Sequence, residues 1–194
     1  MPLKVLLFPF PRCMWGGHEG HPDPYLEEQI LRVRKTVEIA HDYQKRGYEF
    51  SILCASGCEN KDGMTLAETL THEIVAEDPN LIPFILRGER KSTNTAESIR
   101  LSKDILIDQQ WFKVIAISTG GNPGHIDRIG IYFRNICPGV RVELVASEEV
   151  GPPEYRRRRS RDEKIMIFLT HFDPQAKLFD LFGNRRRAQA RRKP

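Results

Sequence analysis

WFKVIAISTGGNPGHIDR, residues 111–128, decides how the rest of the chain is read. Val114, Ile115 and Ile117 make an apolar run of strand length, and Ser118, Thr119, Gly120 and Gly121 follow at once. Asn122 and Pro123 then read as an N-cap and a first helical residue. His125 and Arg128 are three apart, so they share one face of the first helical turn. Such a strand, glycine turn and helix start gather backbone N–H groups and the positive end of the helix dipole, which suits an anion. Glycine lets the backbone come close to a ligand. The competing reading is a well-capped turn whose polar residues are only solvated.

Working outward, the same strand–helix unit repeats. Residues 3–8 (LKVLLF) form a short continuous apolar run, as a buried strand requires. A glycine loop follows, with His18 and His21 three apart; they are either polar loop residues or a metal pair. Asp23 and Pro24 open a helix whose core positions are Leu26, Ile30, Val33, Val37 and Ala40, ending near Gly47. Residues 50–55 are the second strand, turned by Ser56 and Gly57. Thr65 and Glu68 form a capping box that starts a helix with Leu66, Leu70, Ile74 and Val75 inside. Residues 81–86 are the third strand. A charged turn containing Glu89, Ser92 and Thr93 leads to Asn94 and Glu97, another cap-and-N3 pair. Ile99, Leu101, Ile105 and Leu106 continue that third helix. The opening stretch supplies strand and helix four, and residues 141–145 read as strand five.

Units of about thirty residues allow parallel strands joined by right-handed crossovers. The expected fold is a Rossmann-like three-layer α/β/α sandwich with a mainly parallel sheet of about five strands, spanning residues 1–150. Ligands in such folds sit at the carboxyl ends of the strands, where strand order reverses. All the polar turns named above fall on that edge.

Residues 151–194 read as a helical extension. Gly151, Pro152 and Pro153 form a linker, and Ser160 with Glu163 reads as a capping box for a helix carrying Ile165, Met166, Phe168 and Leu169. Pro174 interrupts that helix. Leu178, Phe179, Leu181 and Phe182 make a short last turn. Of 30 basic and 26 acidic residues, the excess is concentrated here: Arg156, Arg157, Arg158, Arg159 and Arg161, then Arg185, Arg186, Arg187, Arg191, Arg192 and Lys193. The basic tail is either a disordered, solvated end or a nucleic-acid contact.

No apolar run approaches the length that spans a bilayer, and residues 3–10 are too short for a signal segment. A soluble cytoplasmic protein is expected. The four cysteines, Cys13, Cys54, Cys58 and Cys137, lack a second ligand-spaced pair and read as thiols in a reducing compartment, not as a metal site. There is no Gly-x-Gly-x-x-Gly after the first strand, no Walker lysine motif and no Gly-x-Ser-x-Gly elbow.

The ordered set of turns resembles the SanA/ElyC/YdcF family of Rossmann-like proteins over roughly residues 3–145. Arg32 fits the arginine of that family's first helix. Ser56 and Gly57 fit its Ser-Gly-Gly, with Cys58 in place of the second glycine. Glu68 fits the glutamate of the next helix. Glu89, Ser92, Asn94, Thr95 and Glu97 fit Glu-x-x-Ser-x-Asn-Thr-x-Glu without gaps. Ser118 and Thr119, then His125 and Arg128, fit Thr-Ser and His-x-x-Arg, across a longer turn here. The first strand runs into Phe8, Pro9 and Phe10 where the family has a glycine pair. The resemblance implies a small-molecule site at the carboxyl edge for a nucleotide-like or phosphate-bearing ligand, S-adenosylmethionine among them.

The candidate site set follows. Arg32 and Arg128 are anion partners. His125 is an acid or base, with Glu89 and Glu68 as further catalytic candidates. Ser56, Gly57, Ser92, Asn94, Thr95, Ser118, Thr119, Gly120 and Gly121 are ligand-binding candidates. Hydrolysis or group transfer is the chemistry such a set suits. The alternative is a nucleic-acid or protein-interaction module working through the arginine-rich end. Capping alone also explains Asn94, Glu97 and Glu68.

Overall fold

Strand side chains alternate between two cores, and that alternation builds the molecule. A computed structural model describes residues 3–11, 24–59, 63–108 and 110–177. The strands are β1 (Lys4–Pro9), β2 (Glu49–Cys54), β3 (Ile85–Arg87), β4 (Trp111–Thr119) and β5 (Val142–Ser147). They pair in the order β3-β2-β1-β4-β5, and all four pairings are parallel. Val5, Leu7, Ile52, Ile115 and Ile117 face helices α1 (Pro24–Lys45) and α2 (Leu66–Glu77), meeting Val33, Val37, Leu70 and Ile74. Leu6, Phe8, Leu53, Val114 and Ala116 face the other way, toward α3 (Thr95–Leu101), α4 (Lys103–Leu106) and α5 (His125–Ile136). Both faces of the sheet are covered, as an all-parallel sheet requires. The fold is the expected Rossmann-like three-layer α/β sandwich.

Strand order reverses between β1 and β4, so their carboxyl ends open a crevice there. The capping box of α2 forms as read: Thr65 Oγ1 accepts from Glu68 N, and Glu68 accepts from Thr65 N. Asn94 likewise caps α3, accepting from Glu97 N at 2.9 Å.

Five local readings need correction. Residues 81–84 are not strand: Pro79–Phe84 is a 3₁₀ helix capped by Asp78, and only Ile85–Arg87 pairs with β2. Pro79 favours a helical start, and Pro83 has no N–H for a ladder. The third helix is divided at the buried Ser102 into α3 and α4. α5 starts at His125, not at Pro123, because the chain first closes a small loop in which Gly121 bridges Gly124. Asp127 Oδ2 then accepts from Gly124 N at 2.7 Å. The fourth is the C-terminal segment. It is one continuous helix, α6 (Pro153–Phe172), with Ser160 in its interior, and Pro174 lies just past its end. Finally, Leu26 and Ile30 of α1 are 50% and 40% exposed. The buried stripe at that end of α1 is polar instead: Glu28, Gln29, Arg32 and Thr36. Thr36 sends its hydroxyl to Arg32 O, Arg32 lines the crevice, Glu28 pairs with Arg159 of α6, and Gln29 bonds to Arg32 and Glu73.

Candidate functional site

β4 ends in two hydroxyls buried completely, Ser118 and Thr119. They point to different partners. Ser118 Oγ lies 2.8 Å from Nδ1 of His125, the first residue of α5. Nε2 of the same ring lies 3.1 Å from Thr95 Oγ1, the first residue of α3. Thr119 Oγ1 accepts from Arg32, which also donates to the carbonyl of Phe10 and to Gln29 Oε1. Arg32 is 1% exposed, so its guanidinium is part of the crevice floor. Gln29 passes the chain of hydrogen bonds on to Glu73 at 2.7 Å. Burial pushes the Glu73 carboxyl above its ordinary range, against the bond from Gln29 and the charge of Arg32.

The loops after β2 and β3 are fastened together. Ser56 N donates to Glu89 O, and Gly57 N to Ser92 O. A Cβ on Gly57 would lie 2.4 Å from the Lys91 carbonyl carbon, so only glycine lets the loops touch. Glu89 Oε2 accepts from Lys91 N and Ser92 N, both at 2.8 Å, and so shapes the turn. Buried Ser92 Oγ lies 2.6 Å from Ser98 Oγ.

α6 closes the crevice from above. Glu163 takes the Arg128 guanidinium at two points, 2.9 and 3.1 Å. Arg159 pairs with Glu28, which is fully buried, and Ser160 donates to Asn122 O. Burial works against the Arg128 charge, but Glu163 and Tyr132 more than offset it, and the guanidinium is held more firmly protonated than usual.

These elements enclose a cavity of about 240 Å³ at the carboxyl edge. Of the residues singled out in the sequence, Arg32, Ser56, Asn94, Thr95, His125 and Arg128 line it together. Gly57, Glu89, Ser92, Ser118, Thr119 and Gly120 stand behind that lining as its support. Gly121 belongs to the small loop before α5. Glu68 is elsewhere: it holds the α2 cap and pairs with Arg90 beside a separate depression that also borders Cys54 and His72. Its carboxyl is held below the usual range first by Thr65 N–H, then by the Thr65 hydroxyl.

Sequence reasoning missed Cys58, Thr93, Ser98, Arg159 and Glu163 as lining residues. Arg159 and Glu163 sit four apart on one face of α6, but in the sequence they are lost in a run of charges. Among the described residues, no cluster of three or more His, Cys, Asp or Glu could hold a metal. His18 and His21 lie outside the described residues. Cys54, Cys58 and Cys137 form no disulfide. Among the described residues no helix is long and apolar enough to cross a membrane. Comparison with known proteins returns no matching family model and no matching curated protein.

Proposed function

We propose that this is a SanA/ElyC/YdcF-like protein that binds a nucleotide-like or phosphate-bearing small molecule in the carboxyl-edge cavity, with hydrolysis or group transfer as its chemistry. One observation carries the reading: Arg32, His125 and Arg128, drawn from α1 and α5, face one cavity of about 240 Å³ together with Arg159. Three guanidiniums stand against two carboxylates, Glu163 and the Arg159 partner Glu28, and the excess favours an anionic ligand. The volume suits a phosphate with a modest organic group. His125, held at both ring nitrogens by hydroxyls, is the acid or base of the reading, and Thr95 and Ser98 supply hydroxyls beside it. S-adenosylmethionine belongs to the nucleotide-like class by its adenosine. A cytoplasmic setting goes with this reading, supported by the unbridged thiols.

The test is a thermal-shift screen against nucleotides, sugar phosphates and S-adenosylmethionine, on wild type and His125→Ala together. A ligand at a hundred times its Kd stabilises by about 2.7 kcal/mol. A shift present in wild type and reduced in the variant is expected. A shift of equal size in both would move the ligand away from this cavity.

A second reading, nucleic-acid contact, is favoured by Arg156, Arg157 and Arg158, which are exposed on α6 while Arg159 turns inward. Its other basic run, Arg185 to Lys193, lies outside the described residues. It predicts affinity that falls steeply with salt and is lost on neutralising both runs.

A further inference from the structure

This inference rests on the anion-binding reading above and concerns what selects the anion. Arg128 offers Nε and Nη2 to the two oxygens of Glu163. That side-on fork is the geometry by which a guanidinium takes a ligand carboxylate or phosphate. Both side chains line the cavity, and both are mostly withdrawn from solvent, 15% and 12% exposed. Arg128 shares the first turn of α5 with His125, whereas Glu163 is brought in by α6. α6 has other anchors on the same face, the Arg159–Glu28 pair and the Ser160 bond to Asn122 O. Glu163 can therefore turn aside without release of the helix.

We propose that Glu163 is an internal competitor for the anion position: it occupies the Arg128 fork in the resting protein, and a phosphomonoester dianion takes its place. A monocarboxylate ligand exchanges one carboxylate for another and gains little. A phosphate dianion brings a second charge and a third oxygen into a cavity that Arg32, Arg159 and His125 also line. Glu163 thus sets a threshold that phosphate passes and carboxylate does not.

The experiment is titration calorimetry with inorganic phosphate and with acetate, on wild type, Glu163→Gln and the double variant Glu163→Gln/Arg128→Ala. Glu163→Gln is expected to bind phosphate at least tenfold more tightly than wild type, and to bind acetate measurably where wild type does not. The gain is expected to vanish in the double variant. Should Glu163→Gln fail to fold, Glu163→Ala takes its place. Equal phosphate affinity in wild type and variant overturns the competitor and leaves the anion site standing. So does a gain that persists without Arg128. No phosphate binding by any of the proteins overturns both readings together.

Discussion

Ser118 Oγ lies 2.8 Å from His125 Nδ1, tying the buried end of β4 to the first residue of α5. The ring is thereby aimed at the cavity by the sheet itself. Ser118→Ala removes that partner in a fully buried position, where a lost hydrogen bond costs about 1–2 kcal/mol. Urea denaturation of the variant should show a loss of that size. Thr95→Val, at the half-buried side of the ring, should cost less. A Ser118→Ala protein as stable as wild type would mean the ring does not depend on β4.

Gly57 predicts a sharper effect. An added Cβ would stand 2.4 Å from the backbone of Lys91, which cannot retreat as a flexible side chain would. Gly57→Ala should destabilise by about 3 kcal/mol, the upper range for overpacking. Gly47 is the contrast: its φ is +74° but nothing lies within 4 Å, so Gly47→Ala should cost about 1 kcal/mol from backbone strain alone. Chemical denaturation of the pair measures the difference. Equal losses would show that the two loops do not need this close approach.

The fold was legible in the sequence because its signals are local. Continuous apolar runs, the Thr65–Glu68 box and the Asn94–Glu97 cap each declare an element without reference to the rest. What failed was decided at a distance. Leu26 and Ile30 keep helical spacing with Val33, yet the rotation of α1 is set by burial of Glu28, Gln29 and Arg32 against partners far along the chain. Ser160 and Glu163 have capping spacing, but no helix begins there; their partners are Asn122 and Arg128. The same holds for the site. Turn residues such as Ser56, Asn94 and His125 were found because strand ends converge in this fold. Arg159 and Glu163 were not, because α6 reaches the cavity by tertiary packing that no spacing announces.

Glu73 gives a pH prediction. Its carboxyl is raised by burial, so the folded protein holds that proton more tightly than the unfolded chain does. The stability this contributes is present below the ordinary carboxylate range near pH 4 and is lost as pH rises through the raised value. Glu73→Gln keeps a hydrogen-bond partner for Gln29 and removes the charge. The variant should match wild type near pH 4 and exceed it near pH 7, by less than about 1 kcal/mol because the group is only partly buried. Thermal melts across that range decide it; a gap independent of pH would rule out the buried charge as its cause.

Cys58 provides a reporter for the cavity itself. It lines the cavity, and its thiol donates to Thr93 O at 3.5 Å. Cys54 is buried, and burial pushes its thiol up to about 11, while burial also raises that of Cys137. The thiolate is the reactive form, so both of those should be slow toward an alkylating reagent at neutral pH. In a Cys13→Ser background, iodoacetamide should modify Cys58 first, with the site read by peptide mass spectrometry. A ligand in the cavity competes with that reaction, and at ten times its Kd it should slow labelling about tenfold by simple occupancy. Retention of the full labelling rate at ligand saturation would locate the bound molecule outside the wall that Cys58 shares with Arg32, His125 and Arg128.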